Sequence, residues 1–254
     1  MELFYRQLGN GKPLIILHGL FGSSDNWMTI ARALAEKYQL FILDQRNHGQ
    51  SFHSEEFNYK VMVADLMNFI KMHSIINPYI MGHSMGGKVG MQFAVRNPDF
   101  LDKLVVVDIA PKTYEVHHDV ILEGLQSINI DSLKSRSEAD KALAAYVPQV
   151  LVRNFLLKNL ARNPEGTYRW KINLKVIAEN IEGIAEGLDE NFAFYKPALF
   201  IDGEKSTYIN KDDLKLIDKI FPDNQVITVG DAGHWVHAEK TEKFLDIVKK
   251  FLIE

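Results

Sequence analysis

The feature that most constrains this chain is a repeating alternation over its first 110 residues. Short apolar runs, PLIILHG (13–19), YQLFILD (38–44), PYIMGHS (78–84) and DKLVVVDIA (102–110), are rich in Ile, Leu and Val. Between them lie DNWMTIARALAEKY (25–38), YKVMVADLMNFIKMH (59–73) and MGGKVGMQFAVRNP (85–98), whose apolar residues recur at helical spacing. A continuous apolar run suits a strand buried on both faces. Strands that alternate with helices make a mostly parallel sheet covered on both sides. The pattern resumes with PALFIDG (197–203), NKDDLKLIDKIF (210–221), NQVITVG (224–230) and KTEKFLDIVKKFLI (240–253). LFYRQLG at the start reads as an edge strand turning through Asn10-Gly11 into the first buried strand. Asp25 is expected to cap the first helix, and Asn97-Pro98 to end the one after Ser84.

From 111 to 196 the alternation stops, for far too long to be a bare loop. Helical periodicity appears in 118–128, 137–147, 148–161 and 174–187, and YRWKINL (168–174) suits a short extended piece. The expected organisation is a core from 1–110 and 197–254, with a helical cap, 111–196, inserted over the C-terminal edge of the sheet. A net charge of −4 supplies no basic field for nucleic acid. The chain has no Cys, so disulfides and thiolate chemistry are excluded. No signal peptide or membrane-spanning run is evident, and a cytosolic protein is the expectation.

Three stretches carry chemistry. In MGHSMGGKVG (81–90), Ser84 stands where a strand turns directly into a helix. That turn strains the middle residue and exposes its side chain, and Gly82 and Gly86 remove side chains that would collide. Ser84 is the candidate nucleophile, the plainer alternative being a helix cap. LHGLFGSSDNW (17–27) follows the first buried strand. An oxyanion hole needs two convergent N–H donors; Met85 and Leu20 are the candidates, with Phe21 close to Leu20. In AGHWVHAEK (232–240), His234 on a loop past the last strand is the candidate general base, ahead of His237. A zinc pair is possible on His spacing alone, but no third ligand presents itself. His18 is expected to order its loop, and Asp44, Arg46, His48 and Ser51 to form a structural polar turn, with Arg46 anchored on nearby carbonyls.

GHSMGG, LHGLFG, LDQRNHGQS (43–51) and DAGHWVHAEK, in this order and spacing, resemble the α/β-hydrolase superfamily. VVVDIAP (105–111) and HGLFGSSDNW more narrowly resemble the YbfF-type bacterial esterases and their mitochondrial relatives. The resemblance implies an acid between Ser84 and His234 in chain order. Most relatives carry it after the strand at 197–203, but here that stretch reads FIDGEKSTY and the matching residue is Ser206. Asp108, where YbfF-type esterases have their acid, is the resulting choice, with Ser206 hydrogen-bonding near it. Asp202 and Glu204 stay open as alternatives, and Asp231 would have to fold back awkwardly.

The expected function is hydrolysis of a small-molecule carboxylic ester with a short acyl chain. The expected route is a Ser84–His234–Asp108 triad and an acyl-enzyme, with no metal or organic cofactor. Phe155, Leu156, Tyr168 and Trp170 are candidate pocket walls. C–C bond hydrolases, lyases and thioesterases share such a triad, and some members of the fold are ligand-binding receptors. The natural substrate and oligomeric state are not legible.

Overall fold

The computed structural model describes residues 1–115 and 119–253. In chain order the sheet-forming half runs β1 (Tyr5–Leu8), β2 (Lys12–Leu17), α1 (Met28–Leu34), β3 (Tyr38–Leu43), α2 (Tyr59–Met72), β4 (Tyr79–His83), α3 (Met85–Arg96) and β5 (Lys103–Val107). Next come α4 (Asp119–Gln126), α5 (Arg136–Ala144), α6 (Val150–Leu156), a hairpin of β6 (Leu160–Arg162) and β7 (Tyr168–Trp170), α7 (Leu174–Glu179) and α8 (Ile181–Ala185). The chain then returns through β8 (Ala198–Gly203), α9 (Asp213–Ile220), β9 (Asn224–Val229), α10 (Val236–Glu239) and α11 (Thr241–Ile253).

The sheet has seven strands in the order β1-β3-β2-β4-β5-β8-β9, all neighbours parallel except β1 and β3. Alternate residues of one strand serve two cores. Along β2, Ile15 and Leu17 join the apolar cluster of α2, α3 and α9. Leu14 and Ile16 join Trp27, Leu34, Phe244 and Phe251 on the α1 and α11 side. The period of two in side-chain direction explains why such strands carry no polar alternation. Leu125, Leu143, Leu156 and Ile177, from the stretch between β5 and β8, belong to the α2–α3 cluster. That stretch is therefore packed into the main core. Among the described residues no helix is long and apolar enough to cross a membrane.

Several local expectations need correction. β1 is an edge strand, but it does not form a hairpin with β2; it pairs with β3. Both edges of β2 are already taken by β3 and β4. Asp25 does not cap the first helix. It pairs with Arg6 at 2.5 Å. The first turn there is a 3-10 turn, Ser24–Trp27, entered from Ser23, whose N–H donates to Asn26 Oδ1. The helix expected over 148–161 stops at Leu156, and Leu160–Arg162 become a strand because they pair with Tyr168–Trp170. The stretch 174–187 breaks at Asn180 into α7 and α8. The helix expected from His118 begins at Asp119; His118 itself lies outside the described residues.

Candidate active site

Two consecutive strand ends define the site. Ser84, just past β4, has φ 52° and ψ −118°. Its N–H continues the ladder to Val107 O at 3.0 Å, and its carbonyl accepts from Lys88 N as α3 begins. A side chain at Gly82 would put its Cβ 2.2 Å from Gly86 O, and one at Gly86 would lie 2.4 Å from Leu17 O. Neither overlap can relax, because the atoms met are backbone. The packing thus holds Ser84 in a conformation that costs a non-glycine residue roughly 1–3 kcal/mol. Met85 is the first residue of α3, so its N–H belongs to the set without an intrahelical acceptor.

Asp108, just past β5, also has φ 52° and is fully buried. Its N–H donates to Ile201 O at 2.8 Å. Its carboxylate accepts from Gly203 N at 3.1 Å and from the Ser206 hydroxyl at 2.5 Å. His234 Nδ1 lies 2.6 Å from Asp108 Oδ2. A carboxylate acceptor at that distance requires Nδ1–H, which leaves the Nε2 lone pair free. Ser84 and His234 line one pocket together with Leu20, His83, Phe155, Leu156, Tyr208 and Trp235. Leu20, Ser84 and Met85 line a second one beside it. Phe21 N–H donates to His48 Nε2 at 3.2 Å, so it is already engaged.

The remaining acids lie elsewhere. Asp202 is buried at the end of β8, one oxygen without a hydrogen-bond partner and the carboxyl bonded by Thr228 across the strand pair. Burial holds its carboxyl above the usual range, and the charge of Asp108 adds to that. Glu204 accepts from Asp231 N, and Asp231 pairs with Lys205 at 3.0 Å on the surface.

His18, His48 and His237 have structural roles. His18 donates from Nδ1 to Gly19 O and accepts at Nε2 from Gln45 N at 2.9 Å. Burial lowers its pKa to about 4 and that of the neighbouring His48 to about 3. His237 stacks on Trp27 at 4.2 Å between centroids, and burial lowers it to about 3. This separates it from His234 in role. Arg46 makes a two-point contact with Asp65 and donates to Glu56 O. Asp44 accepts from Ser24 N and Gln50 N, and its carbonyl accepts from the Ser51 hydroxyl.

Sequence reasoning missed four supports. His83 is buried and held well below its usual pKa by that burial. Its Nε2–H donates to the carbonyl of His234 at 2.9 Å. Tyr208 stacks on the His234 ring at 4.0 Å. Glu239 accepts from Gly233 N and Trp235 N, clamping the loop on both sides of His234. Lys88, buried in α3 and lowered to about 7 by burial, donates to the carbonyls of Lys112 and Glu186. It ties together the two ends of the inserted stretch. Glu239 was findable, because a Glu in the first turn of a helix can reach back to the N–H of the N-cap residue, here Trp235. The other three depend on contacts between distant parts of the chain. Of the expected walls, Phe155 and Leu156 do line the pocket, whereas Tyr168 and Trp170 stand on β7 and pack on the core.

The same architecture emerges from comparison with known proteins. A family model described as alpha/beta hydrolase fold matches residues 12–241, and the chain belongs to that family. It is 37% identical over 250 residues to the sn-1-specific diacylglycerol lipase ABHD11 of Xenopus laevis, covering 95% of this chain and 80% of that one. It is 33% identical to esterase YbfF of Escherichia coli over 244 residues, 96% of this chain and 94% of the other. A solved marine microorganism esterase superposes with a TM-score of 0.96 at 43% identity, covering 99% of both chains. Within its family, then, the chain is an enzyme of the esterase/lipase type.

Proposed function

We propose that this enzyme hydrolyses small-molecule carboxylic esters with a short acyl chain through Ser84, His234 and Asp108. The observation that carries the reading is the 2.6 Å contact from His234 Nδ1 to Asp108, which leaves Nε2 basic in a pocket it shares with Ser84. In the first step Ser84 Oγ bonds to the ester carbonyl carbon as its proton passes to His234 Nε2. The N–H groups of Leu20 and Met85 hold the negative oxygen, a role Phe21 cannot share while it bonds His48. The carbon–oxygen bond to the alcohol then breaks, and His234 returns the proton to the departing oxygen. Water attacks the acyl-enzyme, giving its proton to His234. That proton goes to Ser84 as the acid leaves. Asp108 holds the Nδ1–H tautomer and stabilises the imidazolium formed in each half. Every step uses side chains, backbone and water. The inserted stretch, 111–196, acts as a cap that bounds the pocket.

The test is turnover of p-nitrophenyl butyrate with covalent labelling by an organophosphonate. Ser84→Ala should abolish labelling and lower kcat by about 10⁶-fold. Turnover that survives Ser84→Ala unchanged sinks the reading.

A further inference from the structure

Ser84 stands where two lobes of the site meet, and His234 belongs to only one of them. Buried Tyr59, Ile109, Ile181 and Ile184 form the walls of the inner lobe, with exposed Glu115 at its rim. The Tyr59 hydroxyl donates to Ile184 O at 2.7 Å, fixing α2 to α8 there. The outer lobe is roomier and includes His234, Val152, Phe155 and Trp235. It shares His83, Val152, Phe155 and Trp235 with a larger hollow. On that hollow Leu151 is 81% exposed, and Asn154 and Lys158 add polar groups to its apolar wall.

The chemistry orients the ester between the lobes. The proton that frees the alcohol comes from His234, so the alcohol oxygen must lie within reach of that ring. His234 lines the outer lobe and not the inner one. The carbonyl oxygen points at the N–H groups of Leu20 and Met85. The remaining substituent, the acyl chain, is directed towards the inner lobe, where Met85 lies. We infer that the acyl chain occupies the inner lobe and the alcohol the outer one. The preferred substrates are esters of a short, apolar acid with a large, amphiphilic alcohol. The inner walls are buried and tied together, so they limit acyl length. The outer hollow is wide and mixed in polarity, so it admits bulk. This inference rests on the esterase reading proposed above and goes further by fixing which half of the ester goes where.

Decyl butyrate and butyl decanoate test it, because they are isomers with the long chain on opposite sides of the ester. The wild-type enzyme should favour decyl butyrate in kcat/KM by roughly tenfold or more, the scale at which a pocket rejects excess methylenes. Ile184→Ala should narrow that ratio by opening the inner lobe, and Ile184→Phe should widen it. Phe155→Ala should change the rate on decyl butyrate alone. The Ile184→Phe variant keeps the test decisive if thermal melting shows that Ile184→Ala is unfolded. An equal or reversed preference in the wild type overturns the inference, as does an isomer ratio that follows Phe155 and ignores Ile184. Loss of both isomers together with p-nitrophenyl butyrate would instead defeat the esterase reading itself.

Discussion

Ser84 and Asp108 each follow one of two adjacent strands and share a φ of 52°, yet they are held there by different means. At Ser84 a helix begins at the next residue, so the chain reverses within one peptide and backbone meets backbone. Gly82 and Gly86 are the consequence. After Asp108 the chain runs on through Ile109, Ala110 and Pro111 with no helix to start. There the side chain does the holding: its carboxylate gathers Gly203 N, the Ser206 hydroxyl and His234. Glycine marks a turn where backbone closes on backbone, and leaves unmarked a turn fixed by a side chain's hydrogen bonds.

The comparison breaks most sharply at Asp108. Asn tolerates a positive φ, so Asp108→Asn keeps the turn. It presents an amide to His234 and favours the tautomer with the proton on Nε2, where Ser84 can no longer deliver its own. A loss of about 10⁴-fold in kcat is expected, with KM little changed. Adding Ser206→Asp to that variant moves a carboxylate to the loop after β8. Ser206 Oγ lies 2.5 Å from the oxygen that meets His234, so recovery by roughly tenfold is expected. Intact kcat in Asp108→Asn would remove Asp108 from the triad, and no recovery from the second change would remove the loop after β8 as a second place for the acid.

Ser206→Ala is the intermediate case. It removes a donor from a buried carboxylate and leaves the acid in place. Hydrogen bonds to charged groups contribute about 1.5–3 kcal/mol, and the urea midpoint should fall accordingly. Asp108 keeps Gly203 N and His234, so kcat should fall by about tenfold or less, an energy near 1.4 kcal/mol. A kcat loss as large as that of Asp108→Asn would give Ser206 a part in the chemistry itself.

The division between what was legible and what was not follows the same physics. The parallel sheet was legible because strands buried on both faces must be apolar throughout, as in Leu14–Leu17 and Val105–Val107. Ser84 and His234 were legible because their turns need small residues or lie in a fixed order along the fold. Asp108 was not fixed by its surroundings, since nothing in VVVDIAP distinguishes a charged turn residue from a cap. It needed the family resemblance, and its contacts come from residues far along the chain, Gly203, Ser206 and His234. The break at Asn180 and strand β6 were missed because helical periodicity runs through both stretches; at β6, pairing with β7, whose stretch was read as extended, decided the outcome. His83 was missed since its partner is the carbonyl of His234, a group that every residue carries.

The smallest effect is expected at Asp202, the acid on the strand end that the family pattern would use. It lies beside Asp108 but bonds Thr228 rather than His234. Asp202→Asn should therefore leave kcat within about twofold. Its signature is in stability against pH. Burial and Asp108 raise the folded pKa of Asp202, so the fold favours the neutral form. Its contribution is fully present below the unfolded Asp value and is lost as pH rises through the raised folded value. An amide does not titrate, so the variant should gain on the wild type as pH climbs from acidic towards neutral, read as urea midpoints across that range. A large kcat loss in Asp202→Asn would mean that the strand end after β8 had kept its acid after all.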